Sequence, residues 1–229
     1  MDFKTCDSRS EMDQQQFALL EISFINKVYA IMTLGLLVTA VTAWQTYQSV
    51  SRQTLASMMI PCLVGEFVMV FALSWAARKL PAILALLGFV GYAVLNGLTL
   101  SVIFYGYQIG SIWQVFLTTS LTFALMSAYG VITRRDLTSL GNLLFMVLLG
   151  MIVAAILNFF FHSSGMDLIL SILGVVVFAG LTAYDTQKLK LLHESGFNHS
   201  GIAVLGALSL YLDFMNMFLY LLRLLGRRK

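Results

Sequence analysis

Between Val28 and Leu225 the chain is a succession of seven apolar runs joined by connections too short to hold a domain. They read roughly as Val28–Trp44, Met58–Ala77, Pro81–Tyr105, Ile112–Ile132, Leu140–Phe161, Asp167–Leu189 and Ile202–Leu225. A helix needs about 20 apolar residues to cross the hydrocarbon core of a bilayer. Backbone polar groups find no water there, so each crossing must satisfy its own hydrogen bonds as a helix. The pattern predicts an all-α membrane protein of seven transmembrane helices, with short connections that make neighbours antiparallel. Only 11% of the residues are charged, against about 25% in soluble domains. Such a composition excludes a soluble globular enzyme, a disordered chain and a nucleic-acid binder. Residues 1–26 are polar and lack the basic-then-apolar start of a signal peptide. They read as a cytoplasmic tail, part helical, ahead of one seven-helix domain over 27–229.

Loop charge gives an orientation, because Lys and Arg accumulate on the cytoplasmic side. One side collects Lys4, Arg9, Lys27, Arg78, Lys79, Arg134, Arg135, Lys188 and Lys190, while the loops of the other hold Arg52 alone. The N-terminus is therefore expected inside. The C-terminal cluster Arg223, Arg227, Arg228 and Lys229 falls on the sparse side if all seven segments cross. A re-entrant seventh segment would bring it inside. Ile202–Leu225 is long enough to span, so seven full crossings are expected, and a basic end beside a membrane touches anionic lipid.

The chemistry-bearing residues are few. Cys6 and Cys62 are too separated to suggest a disulfide framework. His162, His193 and His199 lie in loops without metal-ligand spacing, so no cofactor is expected. What stands out is acid inside the apolar runs. A charge at the bilayer centre costs about 3 kcal/mol or more, and such residues are usually functional or paired. Asp213 lies 12 residues beyond Gly201, about 18 Å along a helix and so near mid-membrane. Gly206, Ser209, Asn216, Tyr220 and Arg223 share its helical face. A polar stripe cannot face lipid, so the seventh helix is expected to be central. The stripe is either a hydrogen-bonded seam between helices or a proton- or cation-responsive site. Asp185 sits near the cytoplasmic end of the sixth helix, within reach of Lys188. If Asp185 and Asp213 meet, they share a proton and titrate as a unit. Deprotonated, they offer hard oxygens suited to Ca²⁺. Glu66 needs an inward partner, with Asn96 the candidate, and a structural role is open beside a functional one. Asp136 is placed to cap the fifth helix. Asn96, Asn142 and Asn158 read as helix-packing residues.

Two intramembrane aspartates also raise an aspartyl protease. Tyr184-Asp185 fits the first motif of presenilin-like proteases, but Leu210-Tyr211-Leu212 stands where their second motif needs Gly-x-Gly before the aspartate. No HExxH, P-loop or GxSxG pattern occurs. The expectation is a protein that is not an enzyme.

The run Ser209-Leu210-Tyr211-Leu212-Asp213-Phe214-Met215-Asn216, continuing to Leu221-Leu222-Arg223, resembles the C-terminal signature of the Bax inhibitor-1 family, the transmembrane Bax inhibitor motif proteins. Tyr184-Asp185-Thr186-Gln187, Arg135-Asp136-Leu137-Thr138 and Gly97-Leu98-Thr99-Leu100-Ser101 agree with it. The likeness covers all seven segments and is nearest the bacterial inner-membrane branch. It implies six helices wrapped around a central C-terminal helix, and a pH-sensitive calcium leak with Asp185 and Asp213 as a proton-sharing dyad. Relatives latch an aspartate with an arginine at the end of the second helix. Here Ala77 stands at that position, and Arg78 follows. Glu66 matches an acidic position of the family.

Two functions from different classes follow. The first is a cation leak along the seventh helix, gated by protonation of Asp185 and Asp213. Ca²⁺ is the permeant ion that suits the two carboxylates, with Glu66, Arg78, Asn216 and Tyr220 as pore or latch candidates. The second is a membrane-embedded regulator of a partner, such as an AAA membrane protease or stress and cell-death machinery, without transport of its own. The partners implied are the bilayer, calcium or protons, and a membrane protease, not nucleic acid.

Overall fold

A computed structural model describes residues 3–76, 80–194 and 200–229, with side chains placed for 23–75, 80–192 and 201–229. Its helices are α1 (Phe3–Ser49), α2 (Arg52–Ala76), α3 (Ala82–Leu100), α4 (Ile103–Gly106), α5 (Ile109–Ile132), α6 (Thr138–Phe161), α7 (Ser164–Glu194) and α8 (Ser200–Leu225). Seven stretches are long and apolar enough to cross a membrane: Ser23–Ser49, Arg52–Trp75, Ala82–Gly106 (α3 with the single turn α4), Ile109–Ile132, Thr138–Phe161, Ser164–Leu192 and Gly201–Leu225. Number and order are those expected from hydropathy. Both edges of α1 and the starting edge of α2 lie outside the expected ones by several residues. Hydropathy stops at the first polar residues, while the hydrogen-bonded helix continues past them. The expected boundary between tail and domain, at residues 26 and 27, falls inside α1, which is one helix from Phe3 onward.

Burial is uneven. In the most apolar 18-residue stretch of each span, 67% of residues are buried in α8 against 6% in α2. The principal partners of α8 are α7, α1, α5 and α3, while α2 packs mainly on α3 and α6 mainly on α7. Of the six helices expected around the seventh segment, four make its main contacts and two form an outer layer. Outward faces of α2 and α6 are apolar and exposed, as at Phe67, Phe71, Phe145 and Phe159, which suits lipid.

Small residues set the closest approaches, as membrane helices require. A Cβ on Gly130 of α5 would run into the Ala183 carbonyl of α7. Gly141 of α6 lies against the Tyr184 ring at 2.6 Å from where its Cβ would be. These contacts hold α5 and α6 against the stretch of α7 that carries Asp185.

The two ends of the bundle differ. At one end lie the links α2–α3, α5–α6 and α7–α8, here called the basic-loop end. At the other, the residues after α8 pair with the link between α4 and α5. Gln108 N donates to Arg227 O at 3.0 Å, Lys229 N donates to Gly106 O at 3.0 Å, and Tyr107 and Arg228 form an antiparallel bridge. Arg227 N also donates to Ser111 Oγ at 2.9 Å. α8 therefore runs the full thickness of the bundle and ends opposite the basic loops. That is the geometry of a crossing helix, not a re-entrant one.

Candidate functional site

The site is built on α7 and α8. Four consecutive α7 residues point in different directions because a helix turns by about 100° per residue, and each has its own task. Tyr184 packs over Gly141. Thr186 is buried and shares hydrogen bonds with Ser127 at 3.0 Å and Tyr29 at 3.3 Å. Gln187 accepts from Leu137 N and donates to Arg135 O, both at 2.8 Å. It thereby pins the α5–α6 loop. Asp185 alone of the four is left to open into a cavity.

That cavity has a volume of about 580 Å³ and lies toward the basic-loop end, between α7, α8 and the end of α2. Asp185, Lys188 and Ser209 are its polar walls, with Ser74 contributed by α2, and Leu189, Leu205 and Leu212 are among its apolar ones. Ser209 is hydrogen-bonded to the Asp185 carboxyl, and Lys188 lies close enough to act on it electrostatically. The Lys188 ammonium also sits 5.6 Å from the centre of the Tyr184 ring.

Asp213 follows Ser209 by one turn, so it lies about 6 Å deeper along α8. It has 12 residues of the Gly201–Leu225 span on either side and is buried at 5% exposure. Its Oδ2 is enclosed without a hydrogen-bond partner. The charge of Asp185 acts on it. The two aspartates are thus electrostatically coupled: Asp185 lines the cavity, and Asp213 lies buried beside it without being one of the lining residues. Beyond Asp213 the way is filled: Phe214, Met217, Phe218 and Leu221 are all buried.

Other expected residues go elsewhere. Asn216 donates Nδ2 to Leu212 O, 2.8 Å away in its own helix. Tyr220 stacks on Phe178 of α7 with centroids 5.9 Å apart, covers Gly174, and carries the Arg223 guanidinium over its ring. The lower part of the polar stripe is therefore a packing seam and not a cavity wall. The partner of Glu66 is Thr99, which donates Oγ1 to Glu66 Oε1 at 2.6 Å. It is not the expected Asn96, whose side chain bonds to Tyr92 instead. Thr99 is one turn from Asn96 and reaches α2 because the helices cross there. Asn158 donates to Asp167 Oδ1 at 2.7 Å and accepts from Ser163 N at 3.0 Å, so it fixes the α6–α7 turn. Asn142 is exposed. Arg78 lies outside the described residues.

A scan against family models matches residues 21–229 to the family described as inhibitor of apoptosis-promoting Bax1. The chain belongs to the Bax inhibitor-1 family. It is 41% identical over 216 residues to the inner membrane protein YbhL of Escherichia coli K12, covering 90% of this chain and 92% of that protein. It is 43% identical over 225 residues to an uncharacterized protein of Borreliella burgdorferi, covering 94% and 97%. An uncharacterized protein of Deinococcus radiodurans is 39% identical over 217 residues, covering 93% and 94%. This Bax inhibitor-1 family chain is an integral membrane protein.

Several functional-looking groups were not legible before the structure. In the sequence Ser209 is only part of a stripe, whereas in the structure it is the direct partner of Asp185. The Tyr29–Ser127–Thr186 cluster, with Tyr29 and Ser127 at 2.5 Å, joins α1, α5 and α7 next to the site. Thr39 and Tyr211 pair at 2.6 Å, and Tyr211 packs edge-on against Phe89 and Tyr92. Each is a small hydroxyl or a tyrosine in an apolar run, and only a three-dimensional arrangement says which ones meet. Among the described residues, no group of three or more His, Cys, Asp or Glu is gathered as a metal site.

Proposed function

We propose that this protein is a pH-responsive cation leak, with Ca²⁺ as its cargo, in which protonation of the Asp185–Asp213 unit controls passage. The observation that carries the reading is the placement of Asp213: a carboxyl at the midpoint of the most buried span, with one oxygen unpartnered, coupled to Asp185, which lines a cavity. Two neighbouring carboxyls in a low dielectric hold a proton between them more readily than two charges. Losing that proton leaves hard oxygens, which a divalent cation favours. Ser209 and the Asp185 carboxyl would receive the ion from the cavity, and Asp213 would pass it on.

Passage also needs the outer half of α8 to loosen, because Phe214, Met217 and Phe218 fill the way. α2 is the least buried of the spanning helices and also lines the cavity through Ser74, so we assign it the gate. The N-terminus is placed on the cytoplasmic side by loop charge, so the cavity faces the cytoplasm in this reading. No enzymatic step is needed.

The test is Ca²⁺ flux into liposomes holding the purified protein, measured from about pH 5 to about pH 8, beside Asp185→Asn and Asp213→Asn. A pH-dependent flux that both variants lose is the expected result. Flux no greater than that of empty liposomes at every pH would overturn the reading. The regulatory alternative would then stand, and a pull-down from native membranes for a membrane protease would follow. A pH response unchanged in Asp213→Asn would overturn the dyad while keeping the leak.

A further inference from the structure

A second cavity, of about 310 Å³, lies on the opposite half of the bundle and opens sideways toward lipid. It separates α1 from α5. Leu36, Ala40 and Trp44 form one wall, Trp113 and Phe116 the other, and Phe214 of α8 the floor. Its lining includes one hydroxyl, that of Thr39, and this is already used by the Ala93 carbonyl at 3.0 Å and by Tyr211. Nothing polar is left inside for a hydrophilic ligand to bond.

The dimensions fit one leaflet. Leu36 to Trp44 spans eight residues, about 12 Å of helix, against about 15 Å for half of a hydrocarbon core about 30 Å thick. The groove begins near mid-membrane, where Leu36 and Phe214 lie. It ends among aromatics, where Trp44, Tyr47 and Phe104 pack with centroids 5.3 to 6.0 Å apart. Aromatic side chains favour the headgroup boundary. At about 30 Å³ for a unit the size of a water molecule, the space holds roughly ten methylene groups.

Charge stands directly above that mouth. Lys229 Nζ donates to the Phe104 carbonyl at 2.6 Å and lies 5.7 Å from the centre of the Tyr47 ring. The backbone pairing of Arg227–Lys229 with Gly106–Gln108 fixes two further cations, Arg227 and Arg228, beside it. Asp167, an acidic side chain at this end of the bundle, is occupied by Asn158.

We infer that this groove is a site for an anionic glycerophospholipid. One acyl chain lies between α1 and α5 against α8, and the headgroup phosphate is held by the Arg227–Lys229 tail. The site is distinct from the Asp185 cavity, and its occupancy does not depend on the protein conducting ions. A chain in the groove would touch Phe214, the residue next to Asp213, so lipid could bear on the packed half of α8.

Tryptophan position makes the test direct. Trp44 and Trp113 flank the groove, and the third tryptophan, Trp75, is removed by Trp75→Phe. The purified protein, reconstituted in phosphatidylcholine vesicles, is given equal small amounts of chain-brominated phosphatidylglycerol or chain-brominated phosphatidylcholine. Quenching of tryptophan fluorescence is then compared. The expected result is several-fold stronger quenching by the anionic lipid, falling as salt is added. The excess should vanish in Ala40→Phe, which fills the groove from an exposed position, and in the triple variant Arg227→Gln, Arg228→Gln, Lys229→Gln. Equal quenching by the two lipids overturns the site. So does an excess that survives Ala40→Phe, since that is general attraction of anionic lipid to the tail. An excess that survives the triple variant removes the tail from the headgroup site and overturns it equally.

Discussion

The two ends of α8 are built from different materials. Toward the basic loops small residues, Gly201, Ala203, Gly206, Ala207 and Ser209, are interspersed among larger ones. Past Asp213 the residues are large: Phe214, Met215, Met217, Phe218 and Leu221. The small half leaves the cavity that reaches Asp185. The large half closes the way beyond Asp213 and leaves the lipid-side groove beside Phe214 and Phe218, and its end is tied down by backbone pairing with the α4–α5 link. Asp213 stands at the join. One helix thus carries an open approach and a closed barrier. Polarity alone does not make a path; absence of side-chain volume does.

The comparison breaks most visibly if the packed half is emptied. Met217 is fully buried, so Met217→Ala should cost about 2–5 kcal/mol, whereas Leu212→Ala, beside the cavity, should cost much less because space already adjoins it. Thermal unfolding in detergent compares them. Similar losses for both would show that the two halves are packed alike. In the leak assay Met217→Ala should raise flux at every pH, since it weakens the barrier and leaves the carboxyls in place.

Asp213→Asn keeps the shape and removes the charge. Flux should become flat across the pH range, with stability unchanged or raised, because a carboxylate buried at mid-membrane carries a desolvation cost that an amide does not. Asp213→Asn that unfolds the protein would mean that the carboxylate is a structural seam. Ser209→Ala is the milder version. It removes one hydrogen bond to Asp185, about 1 kcal/mol, and should move the midpoint of the pH response without erasing it.

Much of this was legible in residue order. Seven apolar runs dictate seven helices, since a bilayer offers the backbone no other way to bond. Asp185 and Asp213 stood out because charge in hydrocarbon demands a reason. What was not legible depends on crossing geometry. Asn96 and Thr99 are one turn apart on α3, and hydropathy cannot say which reaches Glu66. Asn216 and Tyr220 share a helical face with Asp213, but the cavity ends before them because Tyr220 fills the space over Gly174. The ring of six helices came from the family resemblance and not from the stripe, and α2 and α6 pack mainly on α3 and α7 instead. A polar stripe says that a helix is buried, not how many neighbours bury it.

The smallest expected effect concerns how each end is held. At the far end, the residues after α8 are tied to the α4–α5 link by backbone pairs, which do not titrate. At the basic-loop end, Asp136 accepts from Thr138 N at 2.9 Å, the first residue of α6. Bonding to Thr138 holds its carboxyl below the usual carboxylate range. A carboxyl whose folded value is depressed adds stability above its unfolded value and loses it as pH falls through the folded one. Asp136→Ala should therefore lower the melting temperature slightly at neutral pH, and the gap from the parent protein should close as acid protonates Asp136. The α6 amides near Thr138 should exchange faster in the variant, while those of Gly106–Gln108 at the other end stay unchanged. A gap that persists after Asp136 is protonated would assign the cap to the Gln187 bonds with Arg135 and Leu137, and the acid sensitivity of this end would have to come from α7 and α8 alone.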